Sequence, residues 1–416
     1  MSGVDVDSVE ETAQHAREWF AARVPLREHD VARGDKPWSV AIFTDISHDE
    51  EVVLLNEARA WLQAKWNARL AGLDWAKEFG GYGLTRAHAD AVSAVEADYA
   101  IPHHDLLPIT TRLVAPMLRL LGTEAQRSRY VGPLARSEVV CAQLFSEPAA
   151  GSDLAGLTTR ATRLDDGSWS ITGQKVWSSG AQFAHFGLLL ARSDINVVKH
   201  AGITAFLIPL NSEGVDVRPV RQMTGGSCFN EVFLDDVRLS DEYRVGGVGE
   251  GWKVATTMLG FERDASGDDT TLGGSWIQVL ALANAMGKID DPAVRPKLAD
   301  AYTRHVLAQV DAARDLSDRL RGLPRGPEGS MRKLQWVEGM VQISDTVAQI
   351  LGPRLVADSG EPETFGWHEH VLGALGYRIA GGSNEIQRGI IAERLLKLPA
   401  GPRADRGLAF RDIPSG

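Results

Sequence analysis

The chain is poor in cysteine, in positive charge and in long apolar runs, and each shortage closes a class of function. Only Cys141 and Cys228 occur in 416 residues. No disulfide framework staples the fold, and two reduced thiols fit a reducing, cytoplasmic compartment. No cysteine and histidine cluster has metal-ligand spacing, so no metal is expected. Lysine and arginine number 44 against 55 aspartates and glutamates, a formal net charge of −11. That balance argues against a surface for nucleic acid or anionic membrane. No apolar stretch approaches the ~20 residues that span a bilayer. The first eleven residues are acidic and lack an apolar segment, so neither a signal nor a transit peptide is expected.

What is present is the composition of a globular protein, 44% hydrophobic and 24% charged. The length exceeds one ordinary core and implies two or three domains. The pattern reads helix, then sheet, then helix. Residues 1–138 form an expected N-terminal helical domain. Ser47 and Glu50 make a capping box that opens an amphipathic segment to about Leu70. Thr85 can cap a second helix, and Thr123 with Gln126 marks a third start. Residues 139–246 form an expected β-domain. Asp166-Gly167 is a hairpin signal, and strand-like runs cover 185–191, 203–210 and 231–237. They suggest a small barrel or sandwich. After the glycine-rich joint at 246–251, helical periodicity returns over 247–402. Residues 403–416 read as a tail.

Three motifs carry the chemistry. The first is Gln143-Leu-Phe-Ser-Glu-Pro-Ala-Ala-Gly-Ser-Asp153. The second is Gly173-Gln-Lys-Val-Trp-Ser-Ser-Gly180, and the third Gly381-Gly-Ser-Asn-Glu-Ile-Gln-Arg388. In the second, an aromatic followed two residues later by a hydroxyl suits the edge of a flavin, which needs a stacked ring face and polar donors. It is expected to follow a strand ending at Lys175. The third opens a helix that Ser383 or Asn384 can cap, with Gln387 three residues after Asn384.

Together, in this order and at this spacing, the motifs resemble the acyl-CoA dehydrogenase family from about Trp75 to about Pro402. The resemblance implies an α+β fold: an N-terminal helical domain, a central β-domain and a C-terminal four-helix bundle. It implies FAD as cofactor, with contacts from Gln143, Phe145, Ser146, Ser152, Trp177 and Ser179, and from Ser383 and Glu385 at the C-terminal helix. Gln349 and Gly352 resemble a loop that reaches the ADP half of FAD across a subunit interface. Many members carry an Arg-x-x-Phe-Gly arginine for the pyrophosphate; here only Lys288 offers charge, as a poorer fork for phosphate.

The implied reaction removes an α-proton from an acyl-CoA thioester while hydride leaves the β-carbon for flavin N5. Many members place the catalytic glutamate where this chain has Gly381, whose backbone N–H can still polarise the thioester carbonyl. The isovaleryl and long-chain branches instead carry it on an earlier helix, where this chain has Glu262. Helical spacing sets Glu262 on a stripe with Ala255, Met258 and Leu259, and burial there would raise its pKa toward working pH. Arg263, Ser152 and Gly382 are the implied substrate contacts. Electrons are expected to pass to an electron-transfer flavoprotein. The chain is expected as a homodimer, homotetramer or heterotetramer with a paralogous subunit. Two other readings stay open: a non-catalytic partner subunit, and a monooxygenase or nitroalkane oxidase on the same fold. Acyl-chain length and branching are not legible, although the space at Gly381 favours bulky groups.

Overall fold

The computed structural model describes residues 8–26, 40, 42–43, 45–265, 274–321, 326–357, 362–402 and 405–414; of residues 262–265, 316, 319–320 and 362–365 it describes the backbone alone. Helices α1 (Val9–Ala21), α2 (His48–Asn67) and α3 (Arg86–Glu96) come first. Both expected capping boxes form: Ser47 with Glu50 opens α2, and Thr123 with Gln126 opens α6 (Glu124–Gln126). Thr85 precedes α3 but makes no cap bond, because its hydroxyl pairs with His88 Nδ1 at 2.7 Å instead. Helix α1 was not foreseen, although Ser8 and Glu11 form a capping box of the same kind. Its Trp19 and Phe20 join Trp61, Leu70, Val92 and Tyr99 in one core. Helices α4 (Leu106–Pro108) and α5 (Ala115–Leu121) are joined by a π-helical segment, Ile109–Val114. A second π-helical segment joins α6 to α7 (Gly132–Ala135).

The β-domain follows as β1 (Cys141–Leu144), β2 (Arg160–Arg163), β3 (Trp169–Ser179), β4 (Phe186–Arg192), β5 (Ile203–Pro209), β6 (Val215–Val220), β7 (Phe229–Leu239) and β8 (Arg244–Val245). The order is β6-β7-β3-β2-β4-β5-β8, with β1 paired to β4 in parallel. A single pair, Arg160 with Arg192, joins the two halves. Strand β4 is buried on both faces. Leu188 and Leu190 pack with the helical residues Leu113, Met117 and Val254. Leu189 and Ala191 pack with Trp169, Ile171 and Val232 of the other half. Two buried faces explain why β4 and β5 read as unbroken apolar runs. The short strands β1, β6 and β8 left no such signal.

Helix α8 (Gly251–Ala265) lies against the sheet and the helical run before it, burying Val254, Ala255 and Met258 with Leu113, Val114 and Leu118. Helices α9 (Trp276–Ala285), α10 (Arg295–Leu320), α11 (Glu328–Leu351) and α12 (Pro362–Ala374) build the second helical layer, and α13 (Asn384–Ile390) closes it. The core shared by α9, α11 and α12 contains Val279, Leu282, Ile343, Val347 and Trp367. The expected tail is not free: residues 409–411 bond back to the segment between β4 and β5. Among the described residues no helix is long and apolar enough to cross a membrane.

Candidate active site

The first two motifs meet in space. The Val176 N–H donates to Ser146 O at 3.0 Å. Beneath that contact, Lys175 Nζ donates to Phe145 O at 3.1 Å and to Glu147 Oε1 at 2.7 Å. Glu147 also accepts from the N–H and hydroxyl of Thr158 and from the Thr159 N–H, at 2.7, 2.9 and 2.9 Å. The Lys175 side chain is 0% exposed and that of Glu147 4%. Burial would raise the Glu147 carboxyl, but the Lys175 charge and the threonine bonds outweigh it and hold it at about 2. Burial pulls Lys175 down to about 8 against the opposing pull of Glu147. The pair is thus ionised at neutral pH, and it fastens strand β3 to the segments at 145–147 and 158–159.

Strand β3 does not end at Lys175, as expected, but runs on to Ser179. Between Lys175 and Ser178 it carries one residue more than β7 opposite, a β-bulge. A bulge re-aims the side chain at the extra position. Here Trp177 takes φ 61°, a region where only glycine is at ease. Its indole is left 57% exposed. A large aromatic held outward in a strained conformation is an outlier that points to function. The side chains of Gln143, Ser146, Ser152 and Ser179 make no hydrogen bond among the described residues. An exposed ring face beside unengaged hydroxyl and amide groups is the donor set that a flavin requires, so these residues fit FAD. Phe145 fits in one respect only. Its side chain is buried in the core with Leu113, Met117 and Leu188 and its carbonyl accepts from Lys175, which leaves its N–H for a cofactor.

The third motif opens the expected helix, capped by one of its two candidates. Ser383, not Asn384, caps α13, accepting from the Ile386 N–H at 3.3 Å. Asn384 is buried and donates to Glu338 Oε1 at 2.8 Å. Gln387 forms no capping box with it; its amide donates to Gly381 O at 2.8 Å and Gly382 O at 3.3 Å. Lys333, buried on α11, donates to Gly382 O and Tyr377 O, both at 2.9 Å. Gly381 and Gly382 take φ 63° and 84°. In a trans peptide the carbonyl and the following N–H point opposite ways. Pinning both carbonyls therefore turns the N–H groups of Gly382 and Ser383 to the other side. Glu385 is exposed, 3.8 Å from Arg388.

The remaining candidates lie on other elements. Gln349 and Gly352 are at the far end of α11. Sixteen residues separate Gln349 from Lys333, about 24 Å along the helix. Lys288 pairs with Asp291 at 3.2 Å. Glu262 and Arg263 are on α8, but their side chains lie outside the described residues. Burial pushes the Cys228 thiol up to about 12 and Cys141 further still, so neither is poised as a nucleophile. No group of three metal-ligating side chains occurs among the described residues. Lys175, Arg192, Lys333 and Gln387 were not foreseen as site residues. The only local signal was a lysine inside an otherwise strand-like run at 175.

Comparison with known proteins accounts for this arrangement. Three family patterns match in chain order: Acyl-CoA dehydrogenase, N-terminal domain, over residues 44–138; middle domain, over 142–237; and C-terminal domain, over 249–396. Acyl-CoA dehydrogenase IpdE1 of Mycobacterium tuberculosis is 35% identical over 356 residues, covering 82% of this chain and 88% of its own. The chain belongs to the acyl-CoA dehydrogenase family. That membership sets the reaction class, oxidation of an acyl-CoA thioester, and favours neither a non-catalytic subunit nor a monooxygenase. Acyl-CoA dehydrogenase FadE34 of the same organism is 39% identical over 291 residues, 68% of this chain but 39% of its own length. The solved structure of the Tcur3481–Tcur3483 steroid ACAD superposes with a TM-score of 0.73 at 25% identity, covering 96% of this chain and all of that one. The α+β family fold expected from the motifs is the fold observed.

Proposed function

We propose that the chain is an FAD-dependent acyl-CoA dehydrogenase in which Glu262 is the base. The observation that carries the reading is the Trp177 bulge locked to Ser146 by Lys175 and Glu147. Gln143, Ser146, Trp177 and Ser179, with the Phe145 backbone, would hold the flavin ring. Ser383 and Glu385 would reach its polar edge, and Ser152 would stand between cofactor and CoA. FAD, when bound, supplies the hydride acceptor.

The chain's own residues supply the rest. Position 262 falls one turn after Met258 and two after Ala255, on the face of α8 that packs into the core. Burial on that face would raise a carboxylate's affinity for the α-proton. The α-proton becomes removable when the thioester carbonyl is polarised. The backbone N–H groups of Gly382 and Ser383, beside that of Gly381, would serve that end, because Lys333 and Gln387 hold the carbonyls of Gly381 and Gly382 the other way and so turn the N–H groups of Gly382 and Ser383. Arg263 and Gly382 would contact the substrate.

Gly381 puts no side chain beside the reacting carbons, so branched or bulky acyl groups fit. The likeness to a steroid ACAD supports that class. Turnover restricted to short straight chains would contradict it. An electron-transfer flavoprotein is the proposed electron acceptor. Gln349 and Gly352, about 24 Å along α11 from Lys333, would suit a neighbouring subunit's FAD, and a dimer or larger assembly would then be the working unit.

The test is the visible spectrum of the singly expressed, purified protein. An oxidised-flavin band supports a self-sufficient enzyme. A protein that stays colourless after added FAD contradicts it and points to a partner subunit.

A further inference from the structure

Residues 405–413 lie beyond the last family-matched residue, 396, yet they are tied to the β-domain. The Phe410 N–H donates to Val197 O at 2.8 Å and the Arg411 N–H to Ile195 O at 3.0 Å. Ala409 bridges Val198 in antiparallel fashion. Arg411 Nη1 donates to Asn196 Oδ1 at 2.7 Å. Two β-domain cations extend this contact to the loop after Ser152. Lys199 Nζ is 2.9 and 3.1 Å from the Asp153 carboxylate oxygens and also pairs with Asp405. Arg192, 2% exposed, donates to Ala155 O at 2.6 Å and Leu157 O at 3.2 Å. The Phe410 ring covers its guanidinium at 3.8 Å.

We infer that this carboxyl-terminal segment is a clasp that positions the Ser152–Asp153 loop for acyl-CoA, with Phe410, Arg192 and Lys199 as positioning residues. The inference rests on the proposed role of Ser152. Its physical basis is a shared support. The loop's backbone carbonyls at 155 and 157 rely on one guanidinium, and its carboxylate at 153 on one ammonium. The carboxyl-terminal segment touches both cations. Phe410 shields Arg192 from water, which strengthens its bonds to the loop. Asp405 gives Lys199 a second anchor beside Asp153, so the ammonium stays in place while the loop carries substrate.

Three variants of the full enzyme test this: Phe410→Ala, Asp405→Asn and a chain ending at Pro402. Hydrogen exchange of the amides at 151–157 is the primary readout, with those at 177–179 as the internal control. The clasp predicts exchange at 151–157 faster by about tenfold in Phe410→Ala, with 177–179 unmoved. It predicts a KM for acyl-CoA raised about fivefold while kcat stays within about twofold. Unchanged exchange in all three variants overturns the clasp. Faster exchange with an unmoved KM overturns its positioning role. If the shortened chain fails to fold, the two point variants decide. A wild type that turns over no acyl-CoA defeats the proposed function instead, and the exchange result still judges the clasp.

Discussion

Lys175 and Glu147 form an ion pair at 2.7 Å that is almost wholly shielded from water. It joins strand β3 to the loop before Pro148 at the root of the Trp177 bulge. Removing one member leaves a buried charge without its partner, which costs roughly 3–5 kcal/mol. Lys175→Met should therefore lower the denaturation midpoint sharply and release the flavin. Adding Glu147→Gln should recover part of the stability, because the stranded carboxylate is then neutral. Denaturant titration with flavin absorbance checks both. A single variant as stable as wild type would remove the pair from the account.

The same pair sets an acid limit. The Glu147 carboxyl is depressed from an ordinary 4.5 to about 2. Below 4.5 the unfolded chain binds this proton and the folded chain does not. Its contribution is therefore complete above about 4.5 and is lost as pH falls toward 2. Stability measured from pH 6 down to 2 should fall over that window, and the slope should flatten in Lys175→Met/Glu147→Gln.

Trp177 is held at φ 61°, and the proposed flavin contact gives that strain a purpose. Relief of a positive φ at a non-glycine residue is worth on the order of 1 kcal/mol. Trp177→Gly should fold at least as well as wild type in thermal denaturation, yet bind FAD about tenfold more weakly, for want of a stacking face. Strong destabilisation with unchanged flavin affinity would make the indole a packing residue.

In the proposed mechanism Lys333 and Gln387 would act on the thioester only through the Gly381–Gly382 backbone, whose carbonyls they hold. Loss of one oriented donor in a polarising site costs about 10²-fold in rate. Lys333→Met should depress kcat far more than it raises KM. Gln387→Glu, which turns a donor into an acceptor facing Gly381 O, should act likewise. A change confined to KM would assign these residues to substrate binding.

The sequence made local chemistry legible. The capping boxes at Ser47 and Thr123 depend on residues three apart, and β4 and β5 declare themselves by unbroken apolar runs. Helix α1 was missed although its Ser8 and Glu11 box has the same form, because it sits in an acidic stretch read as an end. Strands β1, β6 and β8 are short and take their identity from partners far along the chain. The site divides the same way. The two flavin-type loops were legible as a pair by residue type. What fastens them, Lys175 to Glu147 across twenty-eight positions, was not, because a buried lysine and an exposed one look alike in a sequence. The docking of Phe410 on Arg192 is longer-ranged still. The cap at Ser383 was one of two legible candidates; Asn384 and Gln387 have the right spacing for a box but better partners in Glu338 and the glycine carbonyls.

The most direct test of the central claim is anaerobic reduction of the bound flavin by acyl-CoA thioesters, branched and straight, in wild type and Glu262→Gln. Loss of a general base costs about 10²–10⁴-fold. The account predicts rapid bleaching of the oxidised-flavin band in wild type and almost none in the variant, with equal flavin content in both. Equal bleaching in the two would show that the base lies elsewhere.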